Sequence, residues 1–187
     1  VEEARTLLKL DVDVDATDKM ERTGLHHAAI NGHLDVVELL LEWDADIDAI
    51  DEEFSSPLHL AAMIGEADVV QYLLEAGADI DRINNEGWTP LIEAVMLDEL
   101  GVARVLLEAG ADVNVRNGTE LKESGFGFTP LHCAAQGQAS VEVVGVLLEA
   151  YPKAAETRDA DSKYPLHYAK KKRASVEIMG LLHSYRT

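Results

Sequence analysis

The feature that most constrains this chain is a tetrapeptide that recurs five times. It reads Thr23-Gly24-Leu25-His26, Ser56-Pro57-Leu58-His59, Thr89-Pro90-Leu91-Ile92, Thr129-Pro130-Leu131-His132 and Tyr164-Pro165-Leu166-His167. The marker leucines Leu25, Leu58, Leu91, Leu131 and Leu166 stand 33, 33, 40 and 35 residues apart. A second pattern follows each marker: Val36-Val37 with Leu40-Leu41, Val69-Val70 with Leu73-Leu74, Val102 with Leu106-Leu107, Val143-Val144 with Leu147-Leu148, and Ile178-Met179 with Leu181-Leu182. A third closes the first three copies as Ala45-Asp46-Ile47-Asp48, Ala78-Asp79-Ile80-Asp81 and Ala111-Asp112-Val113-Asn114. Self-similarity at such a period means stacked supersecondary units. No unit can bury its apolar face alone, so the units must stack.

The local chemistry of each copy predicts two helices. Proline at the first helical turn loses no hydrogen bond, because that amide has no intrahelical partner. The Ser or Thr before it can cap the helix. The marker leucine and the pairs Ala28-Ala29, Ala61-Ala62 and Ala134-Ala135 face inward, and small alanines let neighbouring helices approach closely. The Val-Val-x-x-Leu-Leu block has the i, i+3, i+4 spacing of a second amphipathic helix. Gly77 and Gly110 suit the left-handed residue that ends it.

On these motifs the unit resembles the ankyrin repeat, and the resemblance covers essentially the whole chain. It implies an all-α solenoid of helix-turn-helix units with β-turn or hairpin fingers. The units run 18–50, 51–83, 84–123 with a finger insertion, 124–158, and 159–187 as a C-terminal capping repeat. Residues 1–17 read as the second half of a partial repeat, since Leu7-Leu8 align with Leu40-Leu41 and Asp13-Val14-Asp15 with Asp46-Ile47-Asp48. With no initiator Met, this suggests a fragment of a longer chain, an atypical N-terminal cap being the alternative. The 40-residue interval places about seven extra residues within 117–127, beside Phe126 and Phe128. They form either a binding element or a tolerated surface insertion.

Charge narrows the classes of partner. Acids outnumber bases 35 to 16, for a net −19. This argues against nucleic acid, whose phosphates need clustered Lys and Arg. No apolar run approaches the length of a membrane span, and no basic-then-apolar leader opens the sequence. The asymmetry is strong: residues 1–156 carry a net −23 and residues 157–187 a net +4. The basic run Lys170-Lys171-Lys172-Arg173 reads as a solvated cap, with nuclear import or an anion contact as its alternative. The acidic body serves either solubility or the steering of a basic partner.

No catalytic, cofactor or metal site is expected. His26, His59, His132 and His167 occupy one repeat position, and the resemblance implies that each bonds the adjacent finger. Cys133 is the only cysteine. That rules out an internal disulfide, and the thiol reads as a small helix-packing residue. No phosphate-cradling glycine loop, H-E-x-x-H or G-x-S-x-G motif is present. The resemblance also raises asparaginyl hydroxylation at Asn114, preceded by Leu106, Asp112 and Val113, although the residue reads more simply as a turn.

The resemblance implies a concave binding face of finger tips and first helices. On it Ile50, Met63, Ile64, Ile83, Trp88, Met96, Leu97 and Phe128 are apolar where variable, exposed residues are expected, and Glu52, Glu53, Glu86 and Glu93 fringe them. Phe126 joins them from the insertion. Exposed apolar groups rimmed by charge mark interaction sites. The expectation is a non-catalytic, monomeric, intracellular module, cytoplasmic or nuclear. Its ligand would be a protein or peptide segment with basic and apolar residues, and neither nucleic acid nor membrane. The rival reading is a regulatory or targeting module of a larger enzyme or channel, engaging its own chain.

Overall fold

The computed structural model describes residues 13–117, 127–137 and 139–186. Helices come in pairs: α1 (Gly24–Ile30) with α2 (Leu34–Glu42), α3 (Pro57–Ile64) with α4 (Ala67–Glu75), and α5 (Pro90–Met96) with α6 (Leu100–Glu108). Then follow α7 (Pro130–Gln136) with α8 (Val141–Ala150), a 3-10 turn (Pro152–Glu156), and α9 (Pro165–Lys172) with α10 (Val176–Ser184). Among the described residues there is no strand.

Each first helix starts on its marker. Pro57, Pro90, Pro130 and Pro165 stand in the first helical turn. Thr23, Ser56 and Thr129 cap through a reciprocal arrangement with the histidine three residues on. The first helices α1, α3, α5, α7 and α9 stack neighbour on neighbour as one layer, and the second helices α2, α4, α6, α8 and α10 stack as another. Leu25, Leu58, Leu91, Leu131 and Leu166 are all buried between them, as are the paired alanines. Gly77 and Gly110 take φ of 97° and 93° after α4 and α6, which only glycine adopts without strain.

Histidines tie three of the units to the finger that follows. His26 Nδ1 accepts from the Thr23 backbone N–H (3.1 Å), which leaves the ring proton on Nε2, and Nε2 donates to the Ser55 carbonyl (3.0 Å). His59 repeats this with Ser56 and Trp88 O, and His132 with Thr129 and Lys163 O. Burial holds all three imidazoles below the usual histidine range, His59 down to about 4, although each bonded carbonyl favours the protonated form. Three of the four register histidines are therefore neutral structural braces.

The loops after the second helices are joined by a second device. Asp13, Asp46, Asp79 and Asp112 each accept the amide two residues on, from Asp15, Asp48, Asp81 and Asn114. Asp15, Asp48 and Asp81 then accept the amides of Asp46, Asp79 and Asp112 in the following unit, at 3.0–3.1 Å. A continuous ladder of carboxylates thus runs along this edge. Much of the acidity of these turns is structural.

Candidate functional site

The fingers precede the first helices, and each begins on an Asp or Asn that folds the turn. Asp51 Oδ1 accepts from the Glu53 and Ser55 amides, and Asn84 Oδ1 from those of Glu86 and Trp88. Asp18 does the same for Met20 and Arg22. Adjacent fingers are stitched by Glu52 N to Met20 O and Asn85 N to Glu53 O. These bonds turn Glu52, Glu53 and Glu86 outward, where all three are exposed.

In three of the fingers the remaining atom of the opening side chain meets the residue nine positions on, in the first helix. Asp18 meets His27, Asn84 Nδ2 donates to Glu93 (2.9 Å), and Tyr168 OH donates to Asp159. The second finger has Leu60 at that position, so Asp51 instead pairs with Arg22 of the preceding finger at 3.1 Å. Glu93 is the notable case, being only 7% exposed. It is not the exposed fringe acid the sequence suggested, because its bond to Asn84 draws it inward. Burial raises its pKa to about 7; the Asn84 bond opposes the rise, and the charges of Glu53 and Glu86 add to it. The carboxyls of two adjacent fingers therefore converge electrostatically on a buried third.

Around this centre, Ile64, Leu97, Ile83 and Met96 are exposed at 46%, 51%, 44% and 36%. Ile64 at the end of α3 and Leu97 just after α5 share one register position, and Met63 and Met96 share the one before it. Ile50, Met63 and Trp88 are half-buried, and Trp88 packs on the core with its carbonyl held by His59. Phe128 departs from expectation more sharply: it is 3% exposed. Its ring stacks on His132 (5.6 Å between centroids) and meets Tyr168 edge-on (4.8 Å), so it belongs to the core and not to an open face. Phe126, the rest of the insertion over 118–126 and the Leu7-Leu8 alignment lie outside the described residues. Sequence reasoning missed Phe54, which is 53% exposed at a finger position with φ of 60°. The signal was available: Phe54 aligns with Gly87, where no side chain projects.

Asn114 is exposed, with its amide bonded to Asp112 as a turn requires. Cys133 is buried, and burial pushes its thiol up to about 12. Among the described residues no group of three His, Cys, Asp or Glu is arranged to hold a metal ion, and no helix is long and apolar enough to cross a membrane.

A two-layer stack of helix pairs, braced by histidines and edged by turned fingers, defines a repeat solenoid. Family models agree: "Ankyrin repeats (3 copies)" matches residues 46–117, "Ankyrin repeats (many copies)" residues 7–61, and "Ankyrin repeat" residues 126–157. The chain belongs to the ankyrin-repeat family, whose repeats are in general protein–protein interaction modules. No curated protein matches it.

Proposed function

We propose that the chain is a non-catalytic, intracellular module that holds a basic or amphipathic protein segment on the concave face of its central repeats. One observation carries the reading. Met96 and Leu97, three and four residues after the buried carboxyl of Glu93, and Ile64 at the register position of Leu97 are exposed, and Glu53 and Glu86 add negative charge towards Glu93. Apolar anchors in the segment would cover the aliphatic groups. A Lys or Arg would neutralise the acids, and its charge would restore Glu93 to the ionised form. Methionine suits a face that must adapt to its ligand.

The test is a display library of random 15-residue peptides, panned on the whole chain and on Ile64→Ala/Met96→Ala. Both side chains are exposed, so the variant keeps the fold. Peptides enriched in Lys or Arg beside apolar residues are expected, with affinity about 10–100-fold weaker for the variant. Peptides without that bias, or bound equally by the variant, would remove the central face as the site.

A further inference from the structure

A cavity of about 300 Å³ opens between α7 and α9, lined by Phe128, Gln136, Asp161, Lys163, His167, Tyr168 and Lys171. Gln136 occupies the register position of Met63 and Met96, so the cavity continues the concave face toward the basic end. Its floor is aromatic, with Phe128 and Tyr168 in edge contact. Three nitrogen-bearing side chains converge on it. His167 and Lys171 are four apart on α9 and so share a face, while Lys163 comes from the finger. The Lys163 backbone is fixed, its amide on Asp159 and its carbonyl on His132, which leaves the ammonium as the variable element.

The charges here are unspent. Among the described residues neither Lys163 nor Lys171 takes part in an ion pair; the Arg22–Asp51 pair and the His27–Asp18 contact do not involve them. Asp159 beneath the cavity is engaged by the Tyr168 hydroxyl and the Lys163 amide, which hold its carboxyl below the usual range although burial opposes them. That leaves Asp161 as the one carboxylate lining the cavity. His167 also differs from its register mates. His26, His59 and His132 each hold a following finger, whereas the exposed His167 ring makes no hydrogen bond among the described residues.

We propose that this cavity is an anion subsite, taking a carboxylate or phosphate monoester side chain of a protein segment through Lys163, His167 and Lys171. It extends the function proposed above and rests on that reading for the segment's course. Stacked helices lie about 8–10 Å apart, and an extended chain covers about 3.3–3.6 Å per residue. The cavity lies about one and a half such steps from the third unit and two and a half from the second, so the partner's acidic or phosphorylated residue lies about three to eight residues from the basic one held at the central acids. The partner is a bipolar segment, and its two ends read the two signs of the solenoid.

Two measurements on the whole chain separate the parts. In the first, amide and side-chain NMR signals are followed as Ac-Ala-Ala-Ser-Ala-Ala-NH2, its phosphoserine form and its glutamate form are added. Saturable shifts at Lys163, His167 and Lys171 are expected with the charged peptides, absent with serine and lost in Lys163→Ala/Lys171→Ala. Shifts with phosphoserine alone assign a phosphate subsite, and equal shifts with glutamate a general carboxylate subsite. In the second, fluorescent peptides carry an Arg-Leu-Lys element joined to phosphoserine by two, six or twelve residues, in both orders. The six-residue spacer should bind at least tenfold tighter than its serine control in one order, and the double variant should erase that gain. The control's own affinity should be unchanged. Charged pentapeptides that shift none of the three residues overturn the subsite. Localised pentapeptide shifts without spacer preference keep the anion site and overturn the bipolar segment. A serine control that fails to bind overturns the central acidic face alone.

Discussion

At the scale of a residue, Glu93 links stability to pH. Its ordinary pKa of 4.5 rises to about 7 in the fold, chiefly through burial. Below about pH 4.5 the carboxyl is protonated in both folded and unfolded chains. Between 4.5 and 7 only the folded chain retains the proton, so this group's contribution falls as pH rises through that window and is level above it. Glu53, Glu86 and Asn84 face the group. Glu93→Gln cannot ionise yet still offers an oxygen to Asn84 Nδ2. Urea unfolding of both proteins at pH 5 and pH 8 should show the variant gaining on the wild type by about 2–3 kcal/mol at the higher pH. A difference that does not vary with pH would mean that the carboxyl ionises at little cost. The sequence held the clue to this burial in the nine-residue spacing from Asn84 to Glu93, repeated at Asp18–His27 and Asp159–Tyr168. It was unreadable beforehand because five different residue types, His27, Leu60, Glu93, Cys133 and Tyr168, occupy the inner position.

At the scale of an element, the finger and its brace form the working unit. His59 is buried and bonds Trp88 O, whereas His167 is exposed and braces nothing among the described residues. His59→Ala should cost about 2–4 kcal/mol, since it opens a cavity and leaves a carbonyl without its donor. His167→Ala should stay within about 0.5 kcal/mol. Urea titration at pH 7.5 measures both, and equal costs would contradict the brace. The pH sense is opposite to that of Glu93. The His59 pKa drops from 6.5 to about 4, so its contribution is complete above about 6.5 and is lost as pH falls toward 4. The helices themselves were legible, because Pro, Leu and the paired alanines repeat without ambiguity. Phe128 was not. Its register mates Arg22, Ser55, Trp88 and Lys163 range from apolar to charged, and only the facing rings of His132 and Tyr168 settle its burial.

At the scale of the whole molecule, stability in a stack is close to a sum of units and their interfaces, so the weakest interface sets how the array opens. The interface of the third helix pair (α5–α6) with the fourth (α7–α8) stands apart. Ile92 replaces the bracing histidine, and its buried side chain offers no donor to the next finger. The aspartate ladder reaches Asp112 and Asn114 and, among the described residues, goes no further. Asp98 supplies a tie in their place. It stands at the position of Gly32 and Gly65 with φ of 64°, which aspartate tolerates better than most residues, and its Oδ1 accepts from Ser140 N at 2.7 Å. Asp98→Ala keeps the unfavourable backbone and deletes the tie, so the two halves should come apart more readily than either unfolds. Native-state hydrogen exchange is the appropriate readout, because it resolves sub-global openings. In the wild type, amides of α7 and α8 should open at lower free energy than those of α3 to α5. In Asp98→Ala the gap should widen by about 1–2 kcal/mol, with α3 unaffected. Uniform weakening of all helices would show that the array opens as one cooperative body despite the missing brace. A widened gap would locate the mechanical division between the acidic face and the anion subsite, whose relative spacing a bipolar partner would then fix on binding.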